Sequence, residues 1–326
     1  MGKEVRQVNP LQHLYDNFNH GDPAEKYRTL PDFPLMIDCE PTSACNFGCL
    51  MCPVGMNALG RAAEFMAWET WESIVDQCRS YGTALRLIQW GEPLLHPHIG
   101  RMIEYANQAK LVTHLNTNGS KLTIGLAVDL VDLGLTSIKF SFQGIDRDSY
   151  AEMRQIDFFD GMLDAIRIMR EARGPNALPF ISASTSITNE TPEQVAKFRE
   201  IIEPLVDQLT IGHTTFDFFD PDTIRVRPEV RAAFDKVKAL STVERKHPDP
   251  CPEVYGKLSI HADGSYAVCC NAYGKEGTFG NVKDMPIHVA WRHKMMEDYR
   301  KRLAKKDYDA PLCRDCYDYH GLTEGA

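Results

Sequence analysis

Six short apolar runs separated by amphipathic segments set the strongest limit on how this chain can fold. The runs are "LMID" at 35–38, "ALRLIQW" at 84–90, "LVTHLNT" at 111–117, "SIKFSF" at 137–142, "FISASTSI" at 180–187 and "QLTIGH" at 208–213. Several are too continuously apolar or too short for a strand with one face in water, which suits a buried parallel sheet. The segments between them have helical periodicity. Trp71, Ile74, Val75 and Cys78 recur with helical spacing, as do Met162, Ala165, Ile166 and Met169. Thr191, Pro192 and Gln194 read as a capped helix start, with Val195, Phe198 and Ile202 as the inner face. Repeated strand–helix units imply an α/β chain with right-handed crossovers, and six are too few to close an eight-fold barrel. The expected fold is an open partial (β/α)6 barrel with its chemistry at the carboxyl ends of the strands.

The ten cysteines fall into two groups, with residues 79–250 free of them. No signal peptide precedes them, since "MGKEVRQVNPLQHLYDNFNH" is too polar. Clustered thiols without a secretory signal point to metal binding rather than disulfides, and the split points to two sites. A net charge of −9 argues against a nucleic-acid surface, and no apolar run is long enough to span a membrane. A cytoplasmic location is expected.

The organisation reads as an N-terminal extension at 1–34, a core at 35–213, a linker at 214–250 and a small module at 251–326. The linker holds a short helix around 229–239. In the module, "GKLSIHADGSYAVCC" alternates either side of an Asp263–Gly264 turn, as a hairpin does; a helix near 287–304 and "CRDC" follow.

Cys45, Cys49 and Cys52 lie in "PTSACNFGCLMCP", directly after the first run. Three thiolates leave one metal position open, where a substrate or cofactor can bind. A zinc site of three cysteines and a histidine, or surface thiols without metal, are the lesser alternatives. Cys251, Cys269, Cys313 and Cys316 form a set of four, which closes either an iron–sulfur cluster or a zinc ribbon.

The C-x-x-x-C-x-x-C pattern after a first buried strand, with "WGEP" ending the second, resembles the radical S-adenosylmethionine superfamily. The resemblance implies a 4Fe–4S cluster on Cys45, Cys49 and Cys52, whose fourth iron is chelated by S-adenosylmethionine. Reductive cleavage then yields a 5′-deoxyadenosyl radical that removes hydrogen from a substrate carbon. "QWGEP" resembles the family's Gly-Gly-Glu-Pro segment, with Trp90 at its first glycine. Gly91 would allow close backbone approach and Glu92 would receive the cofactor ammonium. Ser141 and Gln143 stand where the family often contacts the ribose, and Arg154 where it often has an arginine facing the cofactor carboxylate. Asn118 and Ser184 are further strand-end candidates, and Met51 would line the adenine pocket.

The layout of Cys251 and Cys269 about Gly264, with "GTFGN" and Trp291, resembles the auxiliary-cluster modules called SPASM and twitch domains, and implies a second 4Fe–4S cluster. Cys270 is then spare, either as a hydrogen-atom donor or as a buried apolar thiol. The resemblance implies a flavodoxin- or ferredoxin-like reductant. The expected substrate is small, polar and rich in hydroxyls: a sugar, aminoglycoside, nucleoside or cyclitol, epimerised or oxidised to a ketone. His213, Asp217 and Asp220 are candidate bases or substrate contacts, with His261 and Tyr255 behind them. Decarboxylation of a sugar acid and peptide maturation are the alternatives. The 34 residues before the first strand weigh against the separate leader-binding segment that peptide maturases often carry. An iron–sulfur or zinc protein without catalysis is the remaining reading.

Overall fold

The computed structural model describes residues 7–19, 21–216, 219–241, 251, 253–314 and 316. Two helices, α1 (Gln12–Asn19) and α2 (Pro23–Arg28), lead into a core of alternating strands and helices. These are β1 (Met36–Cys39), α3 (Trp68–Cys78), β2 (Ala84–Leu87), α4 (Ile99–Gln108), β3 (Thr113–Thr117), α5 (Ile124–Asp132) and β4 (Ser137–Ser141). They continue with α6 (Arg147–Arg154), α7 (Phe159–Arg173), β5 (Phe180–Ile187), α8 (Pro192–Ile202), β6 (Gln208–His213) and α9 (Pro228–Leu240). The remainder is α10 (Glu253–Gly256), β7 (Lys257–Ile260), β8 (Ser265–Ala267), β9 (Thr278–Asn281), α11 (Ile287–Trp291), α12 (Lys294–Leu303) and α13 (Pro311–Arg314).

The strands form one sheet in the order β6-β5-β4-β3-β2-β1-β7-β8-β9. Every pair from β6 to β7 is parallel, and β7, β8 and β9 are antiparallel. The core is the partial (β/α)6 barrel expected from the repeats. β2 is shorter than the apolar run suggests: it ends at Leu87, and Gln89 adopts φ +105°, a backbone conformation that cannot continue a strand.

One sheet face is apolar. Ile37, Leu85, Leu115, Ile138, Ile181 and Ala183 are buried in a single core with Trp71 and Ile74 of α3, Ile103 of α4, and Met162 and Ile166 of α7. Fully burying each aliphatic side chain contributes about 1.5–3 kcal/mol, so this face supplies most of the driving force for the layered arrangement. The other face is polar. Asp38, Arg86 and His114 are register neighbours on β1, β2 and β3, and Asn116, Lys139 and Ser182 are neighbours on β3, β4 and β5. Arg86 Nε lies 3.0 Å from Asp38 Oδ1, and the His114 ring bonds Ser137 Oγ at 3.0 Å and Asn116 Oδ1 at 2.7 Å. The strands expected to be buried on two apolar faces therefore carry a period of two, because the concave side of an open barrel is lined by polar groups. α1 covers the amino end of this concave side: Leu11, Leu14 and Tyr15 pack on Met36, Ala84 and Val112.

The hairpin of the expected carboxyl-terminal module is continuous with the core sheet. β7 pairs with β1 in register, Met36 opposite Lys257 and Cys39 opposite Ile260. The reason is the edge of an open barrel: without β7, one side of β1 would present unpaired N–H and C=O groups. The expected helix in the 214–250 stretch is α9. Its Phe234 and Val237 pack on Leu50, Met56 and Met153, so it lies against the three-cysteine loop. Among the described residues, no helix is long and apolar enough to cross a membrane.

Burial pushes the His114 imidazole well below its ordinary 6.5, and Arg86 and Lys139 push it further. As pH falls through that ordinary value, the unfolded chain takes up a proton that the folded chain refuses, so stability is lost on the acid side. Urea unfolding from about pH 7.5 to about pH 5.5 should therefore show falling stability, and His114→Asn should flatten the fall by up to ~1.4 kcal/mol per pH unit. An unaltered slope in the variant would argue against a neutral buried imidazole.

Candidate functional site

The loop carrying Cys45, Cys49 and Cys52 leaves the carboxyl end of β1. Cys49 is buried, and Cys45 and Cys52 are partly so. Backbone N–H groups are set against the sulfurs: Phe47 donates to Cys45, and Gly55 and Val54 donate to Cys52. Arg154 Nη1 donates to Cys49 Sγ at 3.4 Å, and Asn118 Nδ2 approaches Cys45 Sγ at 3.9 Å. The three sulfurs lie close enough to repel one another as thiolates. Burial is the larger effect, and pushes Cys45 to about 11 and Cys52 to about 12. The loop is shaped by Gly55, which the sequence reading passed over. A Cβ there would sit 2.3 Å from the carbonyl oxygen of Cys49 and 2.5 Å from its nitrogen.

The segment after β2 faces this loop. Gly91 is pressed onto its base, where a Cβ would lie 1.9 Å from the carbonyl oxygen of Thr42. Glu92 N–H donates to Ala44 O at 2.9 Å. The buried Glu92 carboxylate accepts from Thr117 Oγ1 at 2.7 Å, the Leu94 amide at 3.0 Å and the Asn118 amide at 2.7 Å. Burial still raises its pKa, against those donors and the nearby Arg154. Arg154 is buried at the end of α6, with its guanidinium shared between Cys49 Sγ and the Ser141 carbonyl oxygen and 5.7 Å from the Tyr150 ring centroid. The fold thus brings Cys45, Cys49, Cys52, Gly91, Glu92, Asn118, Ser141 and Arg154 together at the strand ends.

Gln143 and Ser184 lie further along that rim. Ser184 is the register partner of Ser141, and Gln143 is buried with its amide nitrogen donating to Ser186 O at 3.2 Å and Thr214 Oγ1 at 2.5 Å. His213 ends β6 with a buried Nδ1 that has no hydrogen-bond partner among the described residues. Asp217 lies outside the described residues. Asp220 is exposed, and its carboxylate caps the Asp222 amide at 2.9 Å. Tyr255 is bound up in packing, with its hydroxyl donating to Arg300 O at 3.0 Å. His261 is buried behind the hairpin turn, near Glu40 and Arg61. Met51 packs against Leu50, Met56 and Met153. Cys39 and Cys78 are core residues.

The second thiol group gathers where β8 ends and α13 begins. Burial pushes Cys251 and Cys269 well up, with mutual repulsion among Cys251, Cys269, Cys313 and Cys316 adding to it; burial also holds Cys313 at about 11. Asn271 Nδ2 ties the two sides together by donating to Leu312 O at 3.0 Å. Cys270 follows Cys269 directly in the chain. It lies near Lys257, and its carbonyl oxygen accepts from the Trp90 indole at 3.1 Å. Cys269 thus lies with the other three thiols.

Among the described residues, no three Cys, His, Asp or Glu side chains converge on a point suited to a single metal ion. The donor sets fit clusters: three and four thiols in two buried groups, with N–H and guanidinium donors aimed at the first. Such donors lower the cost of burying thiolate charge. Gly55→Ala should lower the iron retained by the three-cysteine loop several-fold after anaerobic reconstitution. Gly125→Ala, whose added methyl meets open space, should retain it. Equal iron in both variants would show that the loop does not depend on that close approach.

Residues 39–238 match the family model described as the radical SAM superfamily, and residues 251–317 match an iron–sulfur cluster-binding domain. The AdoMet-dependent heme synthase of Methanosarcina barkeri is 25% identical over 173 residues, which is 53% of this chain and about half (48%) of that protein's length. The PqqA peptide cyclase of Gluconobacter oxydans is 24% identical over 311 residues, covering 88% of this chain and 84% of that protein. Streptococcus suis SuiB bound to S-adenosylmethionine superposes with a TM-score of 0.66 at 17% identity, over 95% of this chain and 78% of SuiB. The thiol loop at the end of β1, the acidic turn at the end of β2 and the match across 39–238 together place the chain in the radical SAM superfamily, with an iron–sulfur module at its carboxyl-terminal end.

Proposed function

We propose that the protein is a radical SAM peptide maturase, forming a new bond within a peptide substrate. The observation that carries this reading is the correspondence with a peptide cyclase over 88% of the chain and 84% of that enzyme. It outweighs the hydroxyl-rich small substrate expected from the sequence.

In this reading Cys45, Cys49 and Cys52 hold the 4Fe–4S cluster that binds S-adenosylmethionine, and Cys251, Cys269, Cys313 and Cys316 hold the auxiliary one. When bound, the first supplies the radical chemistry that removes hydrogen from carbon, and the second supplies a store for the electron released. The chain's own residues position and shield. A carboxylate has about four lone-pair positions. Three donors occupy Glu92, two on Oε1 and one on Oε2, which leaves Oε2 able to accept the cofactor ammonium. Arg154 stabilises thiolate at Cys49 and fixes the end of β4 through the Ser141 carbonyl. Gln143 braces β4 against β5 and the chain after β6, which keeps the Ser141–Ser184 rim in place for the nucleoside end. The polar concave face, with Arg86, His114, Asn116 and Lys139, would hold the substrate's backbone and side-chain polar groups. His213, whose Nδ1 meets no hydrogen-bond partner among the described residues, would take the proton. α9, packed on the cysteine loop, keeps water from one side of it.

Two outcomes test this. Cys49→Ala should abolish reductive formation of 5′-deoxyadenosine; continued formation would remove Cys49 from the cluster. Reconstituted protein given S-adenosylmethionine, dithionite and the short peptides encoded beside its gene should return a peptide lighter by two hydrogens. Unchanged peptides, with conversion of a sugar or cyclitol in the same assay, would restore the small-molecule reading.

A further inference from the structure

The second residue of the "QWGEP" turn is Trp90, and its side chain reaches the carboxyl-terminal module. The indole Nε1 donates to Cys270 O at 3.1 Å, and the ring meets Tyr273 edge-on at 5.5 Å. On its other side the turn has no slack. Gly91 is in backbone contact with Thr42, Glu92 N–H is bonded to Ala44 O, and the Glu92 carboxylate is fixed by Thr117, Leu94 and Asn118. Gln89, at φ +105°, holds the backbone in a conformation that side-chain-bearing residues rarely adopt.

The contact belongs to a closed circuit. Tyr273 O accepts from Arg61 Nε at 2.9 Å, and Arg61 grips the buried Glu40 through Nη1–Oε2 at 2.7 Å and Nη2–Oε1 at 2.5 Å. Glu40 Oε2 in turn accepts from the Ala262 amide at 2.9 Å. The chain from β1 through the cysteine loop is thereby bonded to the hairpin at Ala262 and Tyr273, and the turn at Glu92 is bonded to it at Cys270. Cys270 is covalently next to Cys269 of the four-thiol group. A paired, bidentate Arg–carboxylate with low exposure is a rigid link rather than a surface ion pair.

From this circuit we propose that Trp90 is a positioning residue coupling the two cofactor regions: binding of S-adenosylmethionine against the Glu92 turn stiffens the Cys269–Tyr273 segment and so sets the environment of the auxiliary cluster. The proposal rests on the reading that this turn binds S-adenosylmethionine and that Cys269 is a cluster ligand. A glycine at this position has no side chain to make the bridge. The coupling is therefore a property of this chain's Trp90. Any such coupling is reciprocal, so loss of the auxiliary cluster must weaken cofactor binding by the same factor.

Hydrogen–deuterium exchange on the anaerobic holoenzyme tests this directly. The amides of Val268, Ala272 and Tyr273 are hydrogen-bonded to Gly277, Cys269 and Asn271 carbonyls, so their exchange reports opening of the segment. S-adenosylmethionine should slow that exchange about fivefold or more in the natural protein, the lower end of ordinary site-to-site coupling. Trp90→Gly should lose the slowing, and Trp90→Phe, which keeps the ring against Tyr273 without the N–H, should retain part of it. As a second arm, Cys313→Ala should weaken S-adenosylmethionine binding in the natural background and leave it unchanged in the Trp90→Gly background. Protection of residues 91–95 without any change at 265–273 would overturn the coupling while leaving the cofactor site intact. No protection at 91–95 would remove the cofactor site and the coupling with it.

Discussion

β1 is hydrogen-bonded on both edges, and the rest of the molecule depends on that. Its partner β2 delivers the Glu92 turn, and its partner β7 leads through the hairpin to Cys269. Its own carboxyl end delivers Cys45, Cys49 and Cys52. A four-residue strand thus fixes the relative positions of three functional segments that are far apart in sequence. Were the hairpin a separately tethered module, the two thiol groups would hold no defined relation, and the bonds from Trp90 and Arg61 into it would have no fixed frame.

The thiol groups follow one electrostatic rule. Burial makes thiolates expensive, so every cysteine in either group with a resolved shift is pushed upward. Metal binding must reverse this by displacing protons, which ties site assembly to pH and to folding. At the first group the chain offsets part of the cost with backbone N–H donors and Arg154. Tyr150, on the buried face of α6 and within 6 Å of the Arg154 guanidinium, backs that arginine, which also reaches the end of β4. Cys49 and the end of β4 are therefore held by the same residue.

The repeat architecture was legible because apolar spacing alone separates strands from helices, and β5 and β6 were bounded correctly by their runs. The cysteine sets and the Glu92 turn stand out in the sequence through their motif spacing, and the fold gathers each set in space. Three features were not legible. The polar concave face hid inside strands read as continuously apolar, although Arg86, His114, Asn116 and Lys139 each sit between apolar or small neighbours. Pairing of β7 with β1 joins residues more than two hundred positions apart, and nothing local records it. Gly55 is required by contact with the Cys49 backbone, and no signature distinguishes it from an ordinary loop glycine. Tyr255 shows the opposite error, a polar residue proposed for chemistry that is spent on a carbonyl in the core.

In the proposed function the two thiol groups hold two four-iron clusters, one with an iron left open for S-adenosylmethionine. Mössbauer spectroscopy of protein loaded with isotope-enriched iron, with and without S-adenosylmethionine, tests it most directly. Two cubane populations are expected, with a change on cofactor addition confined to one iron of one of them. Mononuclear iron, or spectra indifferent to the cofactor, would contradict that assignment.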